Sequence, residues 1–153
     1  LDATLRIQLV FEILYLYSHL KENSQMTENG VKIIVVAPTA QAESFPLFVE
    51  RQEWRDPDLM FVRSSAEIQG LEDGKIDLAG VDAIIFCGED SVDSMKGKIL
   101  NLISKIKVSH PSIYLLGFSY FEEHRKAMNR AGCDHVSYML IDVCQSIQTQ
   151  FNW

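Results

Sequence analysis

Residues 31–37 read VKIIVVA and residues 82–87 read DAIIFC, and these two runs decide the fold class. Each run is short, rich in β-branched residues and free of polar alternation, which is typical of a strand buried on both faces of a sheet. Comparable runs occur at residues 59–63 and 112–117 and, more weakly, at residues 135–140. The sequence therefore predicts five strands.

Helix signals separate the predicted strands. Ser64 and Ser119 are each followed three residues later by a glutamate, a spacing that fits a capping box at the start of a helix. Residues 92–106 carry the periodicity of a long amphipathic helix. We expect the helix after Ser119 to end at Gly132, which suits a left-handed backbone, and we expect Asp142 to cap the last helix.

A shorter helix is expected over residues 44–54, between the first two strands. Strands that alternate with helices form a parallel sheet covered on both faces. The count of five strands favours an α/β fold with a flavodoxin-like, doubly wound sheet, whose functional site lies at the carboxyl ends of the strands.

An additional helix is predicted over residues 4–22, before the first strand. Its apolar stripe comprises Leu5, Leu9, Ile13, Leu16 and Leu20. We therefore divide the chain into an N-terminal helix and linker, residues 1–29, and a domain over residues 30–153.

The composition restricts the partners and the compartment. The 153 residues include 14 Lys and Arg against 21 Asp and Glu, for a formal charge of -7. An acidic domain repels phosphate backbones and anionic lipids, so we expect neither nucleic acid nor a membrane surface as a partner. Residues 5–20 are too short and too polar to span a bilayer. Because the sequence begins at Leu1 rather than Met, we expect a fragment or a processed chain.

The cysteines and histidines predict no disulfide framework and no metal centre. Cys87, Cys133 and Cys144 are odd in number and lack C-x-x-C spacing, which favours a reducing cytoplasm. The four histidines are scattered, and we interpret each as a surface or capping residue rather than a ligand.

Cofactor motifs are also missing from the sequence. APTAQA follows the first predicted strand where a dinucleotide-binding domain has G-x-G-x-x-G, and Gly97-Lys98 lies within a predicted helix rather than a phosphate-binding loop. We predict no cofactor, no catalytic residue and no enzymatic activity.

Three segments resemble a known family. VDAIIFC (81–87), PSIYLLG (111–117) and HRKAMNRAGCDHV (124–136) are similar to the third, fourth and fifth strand regions of receiver domains of bacterial response regulators. The A-G-x-D step at residues 131–134 is the most specific part. The resemblance covers about residues 31–152 and implies a receiver-like fold in two-component signalling.

The resemblance also implies where the chemistry of the family would lie. Receivers hold Mg²⁺ with an acidic pair after the first strand and accept the phosphoryl group on an Asp at the end of the third strand. A Thr or Ser at the end of the fourth strand and a Lys at the end of the fifth strand then contact the phosphoryl oxygens. The replacements here are Ala37 and Pro38 for the acidic pair, Cys87 for the acceptor, Gly117 for the Thr or Ser, Met139 for the Lys and Val136 for the aromatic switch residue.

This pocket is degenerate, because phosphoryl transfer needs metal and cationic groups to neutralise the transferred oxygens. Glu89 and Asp90 lie just beyond the third strand and are conceivable substitute acceptors. We instead interpret Asp90 or Ser91 as a helix cap and Glu89 as a carboxylate that favours the positive end of the helix.

Cys87 admits two interpretations. A thiol at a strand end near a helix N-terminus can have a lowered pKa and act as a redox sensor or nucleophile. No base stands beside it in the sequence, however, and cysteine is commonly a small buried hydrophobe. We therefore interpret Cys87 as structural.

The resemblance implies a non-phosphorylatable pseudo-receiver domain that acts as a protein-interaction and regulatory module of a larger signal-transduction protein. Its partners would be other domains of the same or a partner signalling protein, bound through the face from Ser119 to Phe151. The N-terminal helix either mediates a homodimer or folds back on its own domain. One alternative is a flavodoxin-like enzyme or small-ligand or redox sensor that works through the Cys87 loop. Another is an unrelated parallel α/β fold.

Overall fold

A computed structural model describes residues 3–23, 30–37, 57–88 and 93–153 of the chain. The predictions that lie outside these residues are the helix over 44–54 and the roles given to Pro38, Glu89, Asp90 and Ser91.

Five strands form one parallel sheet. They are β1 (Lys32–Val36), β2 (Asp58–Val62), β3 (Ala83–Cys87), β4 (Tyr114–Phe118) and β5 (His135–Ser137). Their order in the sheet is β2-β1-β3-β4-β5, with every neighbouring pair parallel. The predicted flavodoxin-like sheet of five strands is therefore confirmed.

Five helices are described. They are α1 (Ala3–Asn23), α2 (Ser65–Glu72), α3 (Asp93–Ser109), α4 (Glu122–Ala131) and α5 (Leu140–Phe151). The predicted N-terminal helix is confirmed by α1. The predicted capping box at Ser64 is also confirmed, because the Ser64 side chain accepts from the backbone N–H of Glu67 and the Glu67 side chain accepts from the backbone N–H of Ser64. None of the described helices is long and apolar enough to cross a membrane.

Two predicted helix starts are wrong. Helix α4 begins at Glu122, with Phe121 as its N-cap and no side-chain cap, so Ser119 lies before the helix rather than at its first turn. Helix α5 begins at Leu140 with Met139 as its N-cap. Asp142 therefore lies within the first turn, and its carboxylate contacts Nε2 of His135 at 3.1 Å instead of capping the backbone.

The core consists of two apolar layers, one on each side of the sheet. Strand β3 is buried along its whole length, because its side chains alternate between these two layers. On one side the core includes Ile34, Ile84, Phe86, Leu115, Leu102 and Ile103. On the other side it includes Ile33, Ile85, Leu116, Val143, Cys144 and Ile147.

The A-G-x-D step ties β5 to its neighbours. Gly132 has φ 128°, and a Cβ there would lie 3.0 Å from Cγ of Lys107, so the position suits glycine. The Asp134 carboxylate accepts from the Leu115 backbone N–H at 2.9 Å and from Nζ of Lys107 at 2.6 Å. The step is therefore a structural clip that joins α3, β4 and β5.

Candidate functional site

The carboxyl ends of β1 and β3 bring Ala37 and Cys87 together. Val36 pairs with Phe86 across the two strands, so the next residues, Ala37 and Cys87, lie at the same level of the sheet edge. Both are buried in the same apolar layer, each with only 2% of its surface exposed. Ala37 and Cys87 therefore present a methyl group and a thiol at this part of the edge, where the resemblance to receivers implies carboxylates.

Gly117 lies on the opposite side of the sheet from Cys87, beneath the side chain of Met128. A Cβ at Gly117 would lie 2.5 Å from Sδ of Met128 and 3.0 Å from Cγ1 of Val136. A Cβ at Gly88 would overlap Cε of the same methionine. The thioether therefore occupies the space where a Thr or Ser side chain would project, and Gly88 and Gly117 leave room for it.

Met139 and Val136 lie apart from the buried pair of Ala37 and Cys87. Met139 is exposed beyond the end of β5, and its backbone N–H donates to Oγ of Ser137. Val136 is half-buried and packs against the layer that contains Met128. The described positions of the degenerate pocket therefore have different surroundings: Ala37 and Cys87 lie in one apolar layer, Gly117 and Val136 lie against Met128 in the other, and Met139 is exposed.

Ser119 is a buried residue that sequence reasoning placed wrongly. It follows β4 directly and is fully buried, and its backbone N–H donates to the Ser137 carbonyl at 3.1 Å. Its Oγ accepts from the Phe121 backbone N–H at 3.1 Å, and its carbonyl accepts from Nη1 of Arg125 at 2.9 Å. The hydroxyl thus shapes the turn into α4.

His124 joins the exit of β3 to the first turn of α4. Its Nδ1 lies 2.9 Å from the Gly88 carbonyl oxygen and 3.3 Å from Oγ of Ser119. A carbonyl oxygen only accepts, so this geometry assigns the hydrogen to Nδ1. Nε2 is then an acceptor in the neutral ring, and this buried atom has no hydrogen-bond partner among the described residues. Sequence reasoning missed this role, because no motif accompanies the histidine.

The three cysteines are all buried, and no disulfide joins them. Burial raises the pKa of the Cys133 thiol to about 12, with the Asp134 carboxylate adding to the increase and Lys107 opposing it. Burial also raises the pKa of Cys144, and the proximity of Cys87 raises it further. Cys133 and Cys144 are therefore protonated and weakly nucleophilic at neutral pH.

Metal-binding groups are not assembled in the described part of the chain. No group of three or more His, Cys, Asp or Glu side chains in residues 3–23, 30–37, 57–88 and 93–153 could hold an ion. At the degenerate pocket, Ala37, Gly117 and Met139 supply no side-chain oxygen of the kind that Mg²⁺ prefers.

Large apolar side chains are exposed on the loops after β4 and β5 and in the first turn of α5. We call this group the aromatic rim; its members are Tyr120, Phe121, Tyr138, Met139 and Ile141, which are between 37% and 64% exposed. The rim is at the same edge of the sheet as the degenerate pocket, because both loops follow the carboxyl ends of strands.

Local contacts hold the aromatic rim in place. The ring of Tyr120 packs edge-on against Phe118, with ring centroids 5.2 Å apart. The guanidinium of Arg125 lies 5.5 Å from the ring centre of Tyr138, within the range of a cation–π contact. Because Arg125 also donates to the Ser119 carbonyl, one side chain connects the two loops.

Comparisons with known proteins identify structural relatives only. No protein-family model matches the chain, and no curated protein matches it. A crystal structure of a response regulator receiver domain from Clostridium thermocellum matches 80% of this chain and 94% of its own, with 16% identity and a TM-score of 0.56. The CheY-like protein TadZ from Pseudomonas aeruginosa matches the same shares, with 9% identity and a TM-score of 0.58.

A third solved structure is the response regulator TrrA from Thermotoga maritima, in complex with Mg(2+)-BeF. It matches 78% of this chain and 97% of its own, with 14% identity and a TM-score of 0.55. Identities this low establish the fold rather than the activity. The chain has the five-stranded CheY-like receiver fold.

Proposed function

We propose that this chain is a pseudo-receiver: a receiver-like domain that is not phosphorylated and that acts as a protein-interaction and regulatory module of a larger signal-transduction protein. The observation that carries the proposal is the contact of Met128 with Gly88 and Gly117. The thioether of Met128 fills the space in which a receiver needs a hydroxyl.

The electrostatics of the pocket support the absence of phosphorylation. A phosphoryl group brings strong negative charge, and burying charge without a cation or hydrogen-bond donors is costly. Ala37 and Cys87 lie in an apolar layer, and Gly117 contributes no side chain. Met139, in the place of the lysine, carries no charge and is exposed to solvent.

The aromatic rim supports the interaction role. Tyr, Phe, Met and Arg are the residue types enriched in the centres of protein interfaces, where they supply large contact areas. The rim contains Tyr, Phe and Met, Arg125 packs on its Tyr138, and these residues belong to the face between Ser119 and Phe151. A neighbouring signalling domain is the partner that this surface fits.

Phosphorylation is tested directly by intact-mass spectrometry. The chain is incubated with acetyl phosphate and Mg²⁺, and no stable phosphoryl adduct is expected. Beryllofluoride should likewise leave the amide NMR spectrum unchanged. An adduct that disappears in Asp90→Asn would contradict the proposal, since it would identify a substitute acceptor.

The interaction role is tested by calorimetric titration of the chain with the domains encoded next to it. Phe121→Ser combined with Tyr138→Ser removes two rim aromatics and should weaken binding by about 30-fold or more. The control is Val108→Ser, which removes an apolar side chain that is 84% exposed on α3 and lies outside the rim. Binding that is absent in the native chain, or equal in the rim and control variants, would contradict this role.

A further inference from the structure

Helix α1 exposes large apolar side chains. It has 21 residues and is therefore about 31 Å long. The exposed ones are Ile7, Leu9, Val10, Phe11 and Ile13, each between 46% and 65% exposed. An apolar surface of this size on one helix usually marks an interaction site.

The apolar residues of α1 follow two seams along the helix. Leu9, Ile13, Leu16 and Leu20 succeed one another at steps of four, three and four residues. Ile7, Val10, Leu14 and Tyr17 succeed one another at steps of three, four and three. Alternating steps of three and four are the heptad spacing of helices that pack side by side.

We propose that α1 pairs with α1 of a second copy of this chain through the seam of Leu9 and Ile13. In a two-fold symmetric dimer both copies contribute the same surface, so the apolar seam of one α1 packs against the same seam of the other. Leu at one seam position and Ile at the next are side chains that pack well in paired helices. This pairing does not depend on the proposed pseudo-receiver function.

The area of the seam is compatible with a dimer. Extending the seam by one turn adds Leu5, so five Leu and Ile positions of each α1 fall on this side. Full burial of one Leu or Ile side chain removes roughly 100 Å² of apolar surface from water. Two helices that each contribute five such positions would bury at most roughly 1,000 Å², close to the lower limit for a specific interface. A dimer that forms at tens of micromolar is the expected result.

Sedimentation equilibrium of the 153-residue chain tests the proposal. The native chain is expected to be dimeric at tens of micromolar. Leu9→Glu places a charge in the seam and should weaken dimerisation by about 30-fold or more. Gln8→Glu is the matched control, because it adds the same side chain one residue away and off both seams. It should leave the dimer unchanged, and circular dichroism checks that both variants keep their helices.

Two results would overturn the pairing. A native chain that stays monomeric at these concentrations excludes a dimer of the expected strength. A dimer that persists in Leu9→Glu excludes this seam. If that dimer is instead lost in Tyr138→Ser, the aromatic rim is the contact surface.

Discussion

The sulfur of Met128 lies 2.5 Å from the point that a Cβ of Gly117 would occupy. Contacts this short do not occur between real atoms, so any side chain at position 117 displaces the methionine. The relationship links two residues eleven positions apart, one on β4 and one on α4. Gly117 leaves room for the methionine at the position for which the resemblance to receivers implies Thr or Ser.

Gly117→Thr should therefore destabilise the fold. Overpacking of a tight core typically costs about 1–3 kcal/mol, and we expect a loss in that range in urea unfolding. The control is Gly97→Ala on α3, where a new Cβ meets nothing within 4 Å. This change should stabilise the helix by about 0.5–1 kcal/mol. A stability for Gly117→Thr equal to that of the native chain would mean that Met128 moves away without cost.

Removing the methionine should rescue this variant in part. Met128→Ala alone leaves a cavity and should cost about 2–5 kcal/mol. In the Gly117→Thr, Met128→Ala double variant the threonine fills some of that cavity. The free energy of unfolding that this variant loses should therefore be smaller than the sum of the two single losses, by about 1 kcal/mol or more. Strict additivity in a double-mutant cycle would show that the two positions do not compete for space.

The contacts of Asp134 yield a prediction of their own. Asp134→Ala leaves the buried N–H of Leu115 without its acceptor and should cost about 1–3 kcal/mol. Asp134→Asn keeps an acceptor and loses only the pair with Lys107, which is one-third exposed, so it should cost less than about 1 kcal/mol. Thermal or urea unfolding measures both.

An exposed carboxylate provides the control for the clip. Glu123 is paired with Lys126 at 3.5 Å on the surface of α4, and Glu123→Ala should change the free energy of unfolding by less than about 0.5 kcal/mol. Equal losses for Asp134→Ala and Asp134→Asn would indicate that the charge on Lys107, rather than the backbone acceptor, matters at this position.

The strands could be predicted from the sequence because burial on both faces leaves an uninterrupted apolar run. The observed β3 and the run at residues 82–87 differ by one residue, since Asp82 is the polar residue at the strand entrance. Helix starts were less predictable. The pattern S-x-x-E describes Ser64 and Ser119 equally well, but only Ser64 is exposed and able to cap. Ser119 is buried by the tertiary contacts of β4 and β5, which no local pattern encodes.

The sequence allowed a prediction of which residues belong to the candidate site, but not of how their side chains pack. The resemblance to receivers implied the positions of Cys87 and Gly117, whereas no periodicity indicates that Met128 would lie against Gly88 and Gly117. The role of His124 depends on the Gly88 carbonyl, 36 residues away in the chain. Such contacts arise only when the sheet brings distant loops together, so the sequence alone could not reveal them.

The buried thiols predict a loss of stability in alkali. The unfolded thiol of Cys133 has an ordinary pKa near 9.0, whereas the folded thiol has a pKa of about 12. Between these values the unfolded state has released its proton and the folded state has not, so the free energy of unfolding falls as the pH rises. The slope from one such thiol is up to about 1.4 kcal/mol per pH unit. This contribution is fully present below pH 9.0.

Cys133→Ala isolates the contribution of that thiol. The variant should lose less stability than the native chain between pH 9 and pH 11, although it starts from a lower value because its core is less well filled. Urea unfolding at a series of pH values gives both slopes. Identical slopes would mean that Cys133 does not keep its proton in the folded state.

Cys87 provides the last prediction, which separates a structural thiol from a reactive one. Its side chain is 2% exposed in an apolar layer with Val143 and Cys144, so a thiol reagent should reach it only when the fold opens. At neutral pH we expect labelling of Cys87 to be far slower in the folded chain than in the unfolded chain. Cys87→Ala should cost on the order of 1 kcal/mol, as expected for a small buried side chain.

The measurement uses Cys133→Ala combined with Cys144→Ala, so that Cys87 is the remaining thiol of the chain. Mass spectrometry follows its modification by a maleimide, and unfolding in guanidinium gives the rate of the accessible thiol as the reference. A native-state rate that approaches this reference, in a variant that is still folded, would favour the redox or nucleophile alternative. A labelling rate that is proportional to the fraction of opened molecules would show that Cys87 is buried in the core.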